Sequence, residues 1–359
     1  MPPKRKKSDS NNIINEPPFI ETPEELIEQP VVEPKKRQRP TIIVEDAPPI
    51  NSIADLIKLG KSNKFYKNID IIVIWKLLPY LEEIDNMIGM TSLKESVFYQ
   101  IIYYIQNMHS RNMNDEYLHT IIMGPPGSGK TTVSKILGNI YKELGILSNS
   151  GSFKIAYRDD FIAGYLGQTA IKTRKLLQSC IGGVLFIDEV YALGPGESEK
   201  DSFSKEALDT LTGFLSEHKN DFCCIAAGYE DDIKKCFFAV NQGLESRFPW
   251  VHRIDVYSTE QLYQMFLNIL NSINWQTNVD KNNIIIIINN NKDIFKNSGR
   301  DINNYIGKCK MAHARRVLCL DNQHKFILTL EDLQNGIKLT NETKIKKTED
   351  NSAIFSMYT

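Results

Sequence analysis

The 359-residue sequence has no C-x-x-C pair, no window of about eighteen uncharged apolar residues, and no surplus of either charge. Each absence removes a class of function. Its six cysteines (Cys180, Cys223, Cys224, Cys236, Cys309, Cys319) stand without histidines at ligand spacing, which reads as reduced thiols in an intracellular protein rather than a zinc site or a disulfide framework. Even the apolar run at 69–78, IDIIVIWKLL, carries Asp70 and Lys76, so no membrane span is expected. The polar, proline-interrupted start does not fit a secretory signal. A formal net charge of −1 argues against a surface built throughout to hold nucleic acid, though it allows a local basic patch.

What is present is 42% hydrophobic residues, enough to bury a substantial core in two or three domains. Residues 1–50 hold ten of the fifteen prolines and many charges, the composition of a disordered tail. Two basic clusters in it, PPKRKK (2–7) and PKKRQRP (34–40), read as nuclear-localisation clusters or as solvated charge runs. A helical segment is predicted over 51–83, opened by Ser52 as a cap and with Gly60 placed to end its first helix. Residues 91–108 predict a longer amphipathic helix capped by Thr91. Five apolar or β-branched runs then alternate with helical segments: 117–123, 151–157, 182–188, 221–227 and 250–256. That alternation predicts an α/β fold with a parallel five-stranded sheet flanked by helices, over 84–256. From 257 to 340 the pattern is helical, a small lid opened by a capping box at Ser258 and Gln261, and 341–359 reads as a C-terminal tail. The five isoleucines 284–288 favour strand by propensity, yet they lie between two helical segments and are assigned to helix. No repeat of 20–50 residues is visible.

The stretch IIMGPPGSGKTT (121–132) matches G-x-x-x-x-G-K-[ST] between a predicted strand and a predicted helix. Glycines let successive backbone N–H groups approach phosphate oxygens, and the following helix aims its positive end at the same point. Gly124, Pro125, Pro126, Gly127, Ser128, Gly129, Lys130, Thr131 and Thr132 would form this P-loop, with Lys130 on the β and γ phosphates and the Thr131 hydroxyl on Mg²⁺. The same glycines could simply cap a helix. GGVLFIDEVYAL (182–193) argues otherwise, because it ends a buried strand with Asp188, suited to the Mg²⁺ shell, and Glu189, suited to polarise water. Two acids at a strand end are costly unless a metal or a proton uses them.

Residues 84–338 resemble an AAA+ ATPase, most closely the CbbX/CfxQ group that includes red-type Rubisco activase. The words that carry the resemblance are MIGMTSLKESV (87–97), GPPGSGKTTVSKILG (124–138), RDDFIAGYLGQTAIKT (158–173), GGVLFIDEVYAL, AAGYEDDI (226–233), GLESRF (243–248) and GRDI (299–302). The resemblance implies an ATP- and Mg²⁺-dependent ring, hexameric in type, in which Ile88 and Gly89 line the adenine pocket. It implies that Arg247 is an arginine finger reaching the next subunit, that Arg300 is the sensor arginine of the lid, and that Tyr165 and Leu166 form a pore loop gripping polypeptide. One departure is that Gly228 and Tyr229 stand where many AAA+ proteins carry a polar Asn or Thr. The residues do not identify a client, and Rubisco is not carried over as one.

These readings lead to an ATP-driven protein remodeller, cytoplasmic or, from the basic clusters, nuclear. A nucleic-acid motor or loader is the alternative, disfavoured because the pore-loop word offers no lysine until Lys172. A slow, nucleotide-gated scaffold is the third, disfavoured by intact Glu189 and Arg247.

Overall fold

The computed structural model describes residues 44–62, 64–67, 69–108, 116–148, 152–165, 167–195, 201–318 and 324–357. The expected tail and its two basic clusters fall on residues outside these, apart from 44–50, where Val44–Glu45 pair in parallel with Phe65–Tyr66. Cys319 and Leu166 also lie outside the described residues.

Five strands form one parallel sheet: β1 (Thr120–Met123), β2 (Phe153–Ala156), β3 (Val184–Ile187), β4 (Cys223–Gly228) and β5 (Trp250–Arg253). Their order is β2-β3-β4-β1-β5. The apolar runs are continuous because both faces are covered. Ile122, Val184, Phe186, Cys223, Ile225 and Ala227 join the core on one face, while Ile121, Met123, Leu185, Ile187, Cys224 and Ala226 join the core on the other. Helices α1 (Ile53–Lys61), α2 (Ile71–Asp85), α3 (Thr91–Ile105) and α4 (Lys130–Glu143) contribute to the first core, and α5 (Thr169–Gln178) and α6 (Ser202–Glu217) to the second. Helix α2 buries Ile71, Ile74, Leu77, Leu81 and Ile84, a three- and four-residue spacing that turns one stripe toward α1 and α4.

The C-terminal part is helical: α7 (Thr259–Ser272), α8 (Lys281–Asn290), α9 (Ser298–Val317) and α10 (Leu330–Met357), with α9 packed on α7 and α10. The isoleucine run is helix α8, and the burial pattern says why. Ile284 and Ile288, four residues apart, are buried while Ile286 is exposed; a helix puts the first two on one stripe and turns the third away, whereas a strand would place all three on one face. The box at Ser258 forms, with Gln261 N donating to Ser258 Oγ at 3.2 Å and Ser258 N donating to Gln261 Oε1 at 2.8 Å. Ser52 caps α1, its Oγ accepting from Asp55 N at 3.2 Å.

Two local expectations are corrected. Thr91 is the first residue of α3 rather than its cap. Met90 precedes it in a left-handed conformation, and the open N–H of Ser92 donates instead to Asp255 Oδ2 at 3.1 Å. Gly60 lies inside α1, where a Cβ would meet Leu78 Cδ2 at 2.8 Å; the glycine permits close approach of α2 rather than ending the helix. Among the described residues no helix is long and apolar enough to cross a membrane.

Candidate active site

The chain leaves β1 at Met123 and passes through Gly124, Pro125, Pro126, Gly127, Ser128 and Gly129 into α4 at Lys130. Gly124 N is tied to the end of β4 through Gly228 O at 3.2 Å, which fixes the root of the loop. Lys130 is only 8% exposed, and its Nζ donates to the carbonyls of Gly124 and Pro125, both at 2.9 Å. Burial draws this ammonium down to about 8; Asp188 and Glu189 pull it back up, and Arg300 opposes them. Thr131 Oγ1 donates to Asp188 Oδ2 at 2.9 Å, and Asp188 Oδ1 accepts from Glu189 N at 3.0 Å. Glu189 is exposed and holds a left-handed backbone, φ 50°, unusual for a residue with a Cβ and typical of constrained sites. Thr132 is exposed on the first turn of α4.

The turn carrying Ile88 and Gly89 stands beside this loop. A Cβ on Gly129 would lie 3.2 Å from Met90 Cε, and one on Gly89 would lie 2.9 Å from Gln261 Nε2 of α7. Lys94 Nζ closes the turn by donating to the carbonyls of Asp85 and Met87, both at 2.7 Å. Arg300, near the start of α9, also approaches: a Cβ on Gly127 would sit 2.8 Å from Arg300 Cβ and 2.4 Å from Asn297 O.

Arg247 is placed elsewhere. Its Nε donates to Ser216 Oγ at 2.7 Å, near the end of α6, and its NH1 donates to Gly243 O. The guanidinium lies 6.0 Å from the centroid of Tyr117, three residues before β1. These neighbours mark the N-terminal end of the parallel strands, whereas the glycine loop and Asp188–Glu189 are at the C-terminal end. Tyr165, 75% exposed, projects from the loop before α5. The cation following that loop, Lys172, donates to the carbonyls of Asp159 and Ile162.

Three features had no local sequence signal. The Tyr257 hydroxyl donates to Ser128 O at 2.8 Å, joining the start of the helical part to the glycine loop. Asp255 caps α3. Arg158 pairs with Asp201 at 2.6 Å and also donates to Ala192 O, bracing the turn that follows Glu189. Burial raises the Asp201 carboxyl, but hydrogen bonds from Ser204 and Arg158 outweigh it and bring it to about 2.

A triphosphate and a hard cation fit these groups. The backbone at Gly127 and Gly129 has φ of +66° and +95°, and Ser128 Oγ is buried with no hydrogen-bond partner among the described residues. Thr131 and Asp188 offer a hydroxyl and a carboxylate. Among the described residues no group of three or more His, Cys, Asp or Glu converges. Two oxygen ligands, with phosphate and water completing the shell, suit Mg²⁺ better than a metal caged wholly by protein.

Residues 120–248 match the ATPase family associated with various cellular activities (AAA). The chain is 38% identical over 307 residues to a cfxQ-like protein of Acanthamoeba polyphaga mimivirus, covering 83% of this chain and 75% of the viral one. The chain belongs to the CfxQ-like AAA ATPases. Stage V sporulation protein K of Bacillus subtilis is 33% identical over 267 residues, 72% of this chain and 82% of its own. The CfxQ homolog of Galdieria sulphuraria is 30% identical over 266 residues, 72% and 85% respectively. This CfxQ-like protein therefore binds and hydrolyses ATP.

Proposed function

We propose that this ATPase works as a ring, hexameric in type, that remodels a protein client. The observation that carries the reading is the separation of Lys130 and Arg247 to opposite ends of one sheet. A finger tethered at Ser216 and Gly243 does not serve its own glycine loop, but it suits the loop of a neighbour packed head to tail.

In this reading the backbone from Gly124 to Thr132 cradles the phosphates, and Lys130 leaves the Gly124 and Pro125 carbonyls to hold the β and γ groups. Thr131 and Asp188 would hold Mg²⁺, which when bound would neutralise the negative charge developing on the phosphates. Glu189 orients and polarises the attacking water from its constrained turn. Ile88 and Gly89 flank the base, and Arg300 contacts the phosphates from α9. Because Tyr257 and the Asn297–Arg300 segment both touch the glycine loop, a change there moves the helical lid. Tyr165 and Leu166 would transmit that motion to an extended polypeptide through apolar and stacking contact.

The test uses two variants of the full chain. Arg247→Ala is expected to retain ATP binding and lose turnover by about 10³-fold or more. Glu189→Gln is expected to retain bound ATP and to co-purify with whatever it grips. Normal turnover in either variant would overturn the role assigned to that residue.

A further inference from the structure

The strand ends that frame the candidate site also hold an aromatic pair. Tyr191, two residues beyond Glu189, and Tyr229, at the end of β4, stack with ring centroids 5.2 Å apart and planes 25° apart. Both rings are half-buried. The Lys130 Nζ lies 4.7 Å from the centroid of Tyr229, within reach of its π face. The backbone is shaped to admit the stack: a Cβ on Gly228 would stand 2.9 Å from Tyr191 Cδ1. Gly228 is also the residue whose carbonyl fixes the root of the glycine loop, so the aromatic pair, the loop and the Glu189 turn are joined at one point.

Lys130 faces a conflict that this arrangement resolves. Its ammonium has three donors and is nearly buried, so it needs partners; two carbonyls supply two. A carboxylate as the third partner would hold the charge strongly but compete with phosphate for it. A ring face attracts a cation without neutralising it and leaves the N–H groups free to re-aim. The stack on Tyr191 keeps that face at a fixed height, and it ties the height to the turn that carries Glu189.

We propose that Tyr229, backed by Tyr191, is a positioning residue for ATP hydrolysis, the face of its ring seating the Lys130 ammonium where phosphate must meet it. This inference rests on Lys130 being the phosphate-binding lysine, and it gives a function to Tyr229, which stands where many AAA+ proteins carry a polar Asn or Thr.

The experiment is a double-mutant cycle on the full chain, reading equilibrium binding of ATP with Mg²⁺ and steady-state hydrolysis. Tyr229→Leu in the native background is expected to weaken ATP binding and to lower kcat/KM about tenfold each. Tyr229→Phe keeps the ring and is expected to restore both to within about twofold. In a Lys130→Ala background, Tyr229→Leu is expected to weaken ATP binding no further. A cost equal in both backgrounds, or failure of Phe to rescue, would overturn the inference, since a ring that only fills space does not act through Lys130. If Lys130→Ala itself binds ATP as the native chain does, the assignment of the phosphate site fails instead. Should Tyr229→Leu lower the melting temperature by more than a few degrees, Tyr229→Met, an unbranched side chain without a π face, takes its place in the same cycle, with the same outcomes deciding.

Discussion

At Gly127 two constraints meet that no other residue satisfies. Its φ of +66° disfavours any Cβ, and the space a Cβ would take lies 2.4 Å from Asn297 O and 2.8 Å from Arg300 Cβ. Gly127→Ala must therefore push the start of α9 away from the glycine loop as well as strain the loop itself. The expected result is a loss of ATP affinity of at least about tenfold, with the strain and clash together worth more than about 1 kcal/mol. Binding by calorimetry and far-UV circular dichroism, the latter unchanged, check it. The G-x-x-x-x-G-K-[ST] pattern leaves Gly127 as an unspecified position, so the sequence motif locates the loop but does not disclose this demand. The demand comes from a helix about 170 residues further on, and only folding brings it there. Lys130, Thr131, Asp188 and Glu189 were legible for the opposite reason: each is read from its own strand end or helix start, and the topology of a parallel sheet brings those ends together.

Among the elements, the strands were readable because a sheet covered on both faces needs unbroken apolar runs. Helix ends were less so: α7 carries its own cap at Ser258, while α3 borrows Asp255 from 163 residues away. Two histidines show the same dependence on distant partners. His252 on β5 has Nδ1 2.7 Å from Ser96 Oγ and Nε2 2.9 Å from Gln100 Oε1, both on α3. His119, just before β1, accepts at Nδ1 from Cys224 N at 3.2 Å and donates from Nε2 to Leu215 O at 3.3 Å. Burial lowers His252 to about 3 and His119 to about 4; at His119 the nearby Arg247 adds to the effect and the Leu215 carbonyl opposes it. With folded values below the unfolded value of about 6.5, the unfolded chain binds more protons in acid. The stability these residues contribute is complete above pH 6.5 and is lost as pH falls from there toward 4 and 3. Each histidine is expected to cost about 1.4 kcal/mol per pH unit in that window. Urea unfolding at pH 7 and 5.5 measures it, and His252→Gln, which cannot titrate, should reduce the slope by about half. A stability unchanged between the two pH values would show that neither ring is held neutral.

For the whole molecule the question is whether one chain can complete its own reaction. The four residues of β1 alone separate the ends of the sheet by roughly 13 Å at about 3.3 Å per residue, and Arg247 is held back at its own end by Ser216 and Gly243. If each site combines Glu189 of one protomer with Arg247 of the next, two inactive variants can repair each other. In an equimolar mixture of Arg247→Ala and Glu189→Gln chains, a site is intact only where the first supplies Glu189 and the second supplies Arg247. Random assembly makes that arrangement about one site in four, so co-expressed, differently tagged chains purified through both tags are expected to regain up to about a quarter of native ATPase activity. Chains that acted alone would give no recovery, since every protomer would lack either its base or its finger. Recovery that falls with the square of the dilution of one variant by the other, instead of with the product of the two fractions, would likewise contradict pairing between unlike neighbours. A head-to-tail contact is required by the first outcome and by no arrangement in which Arg247 turns back to Lys130 within its own chain.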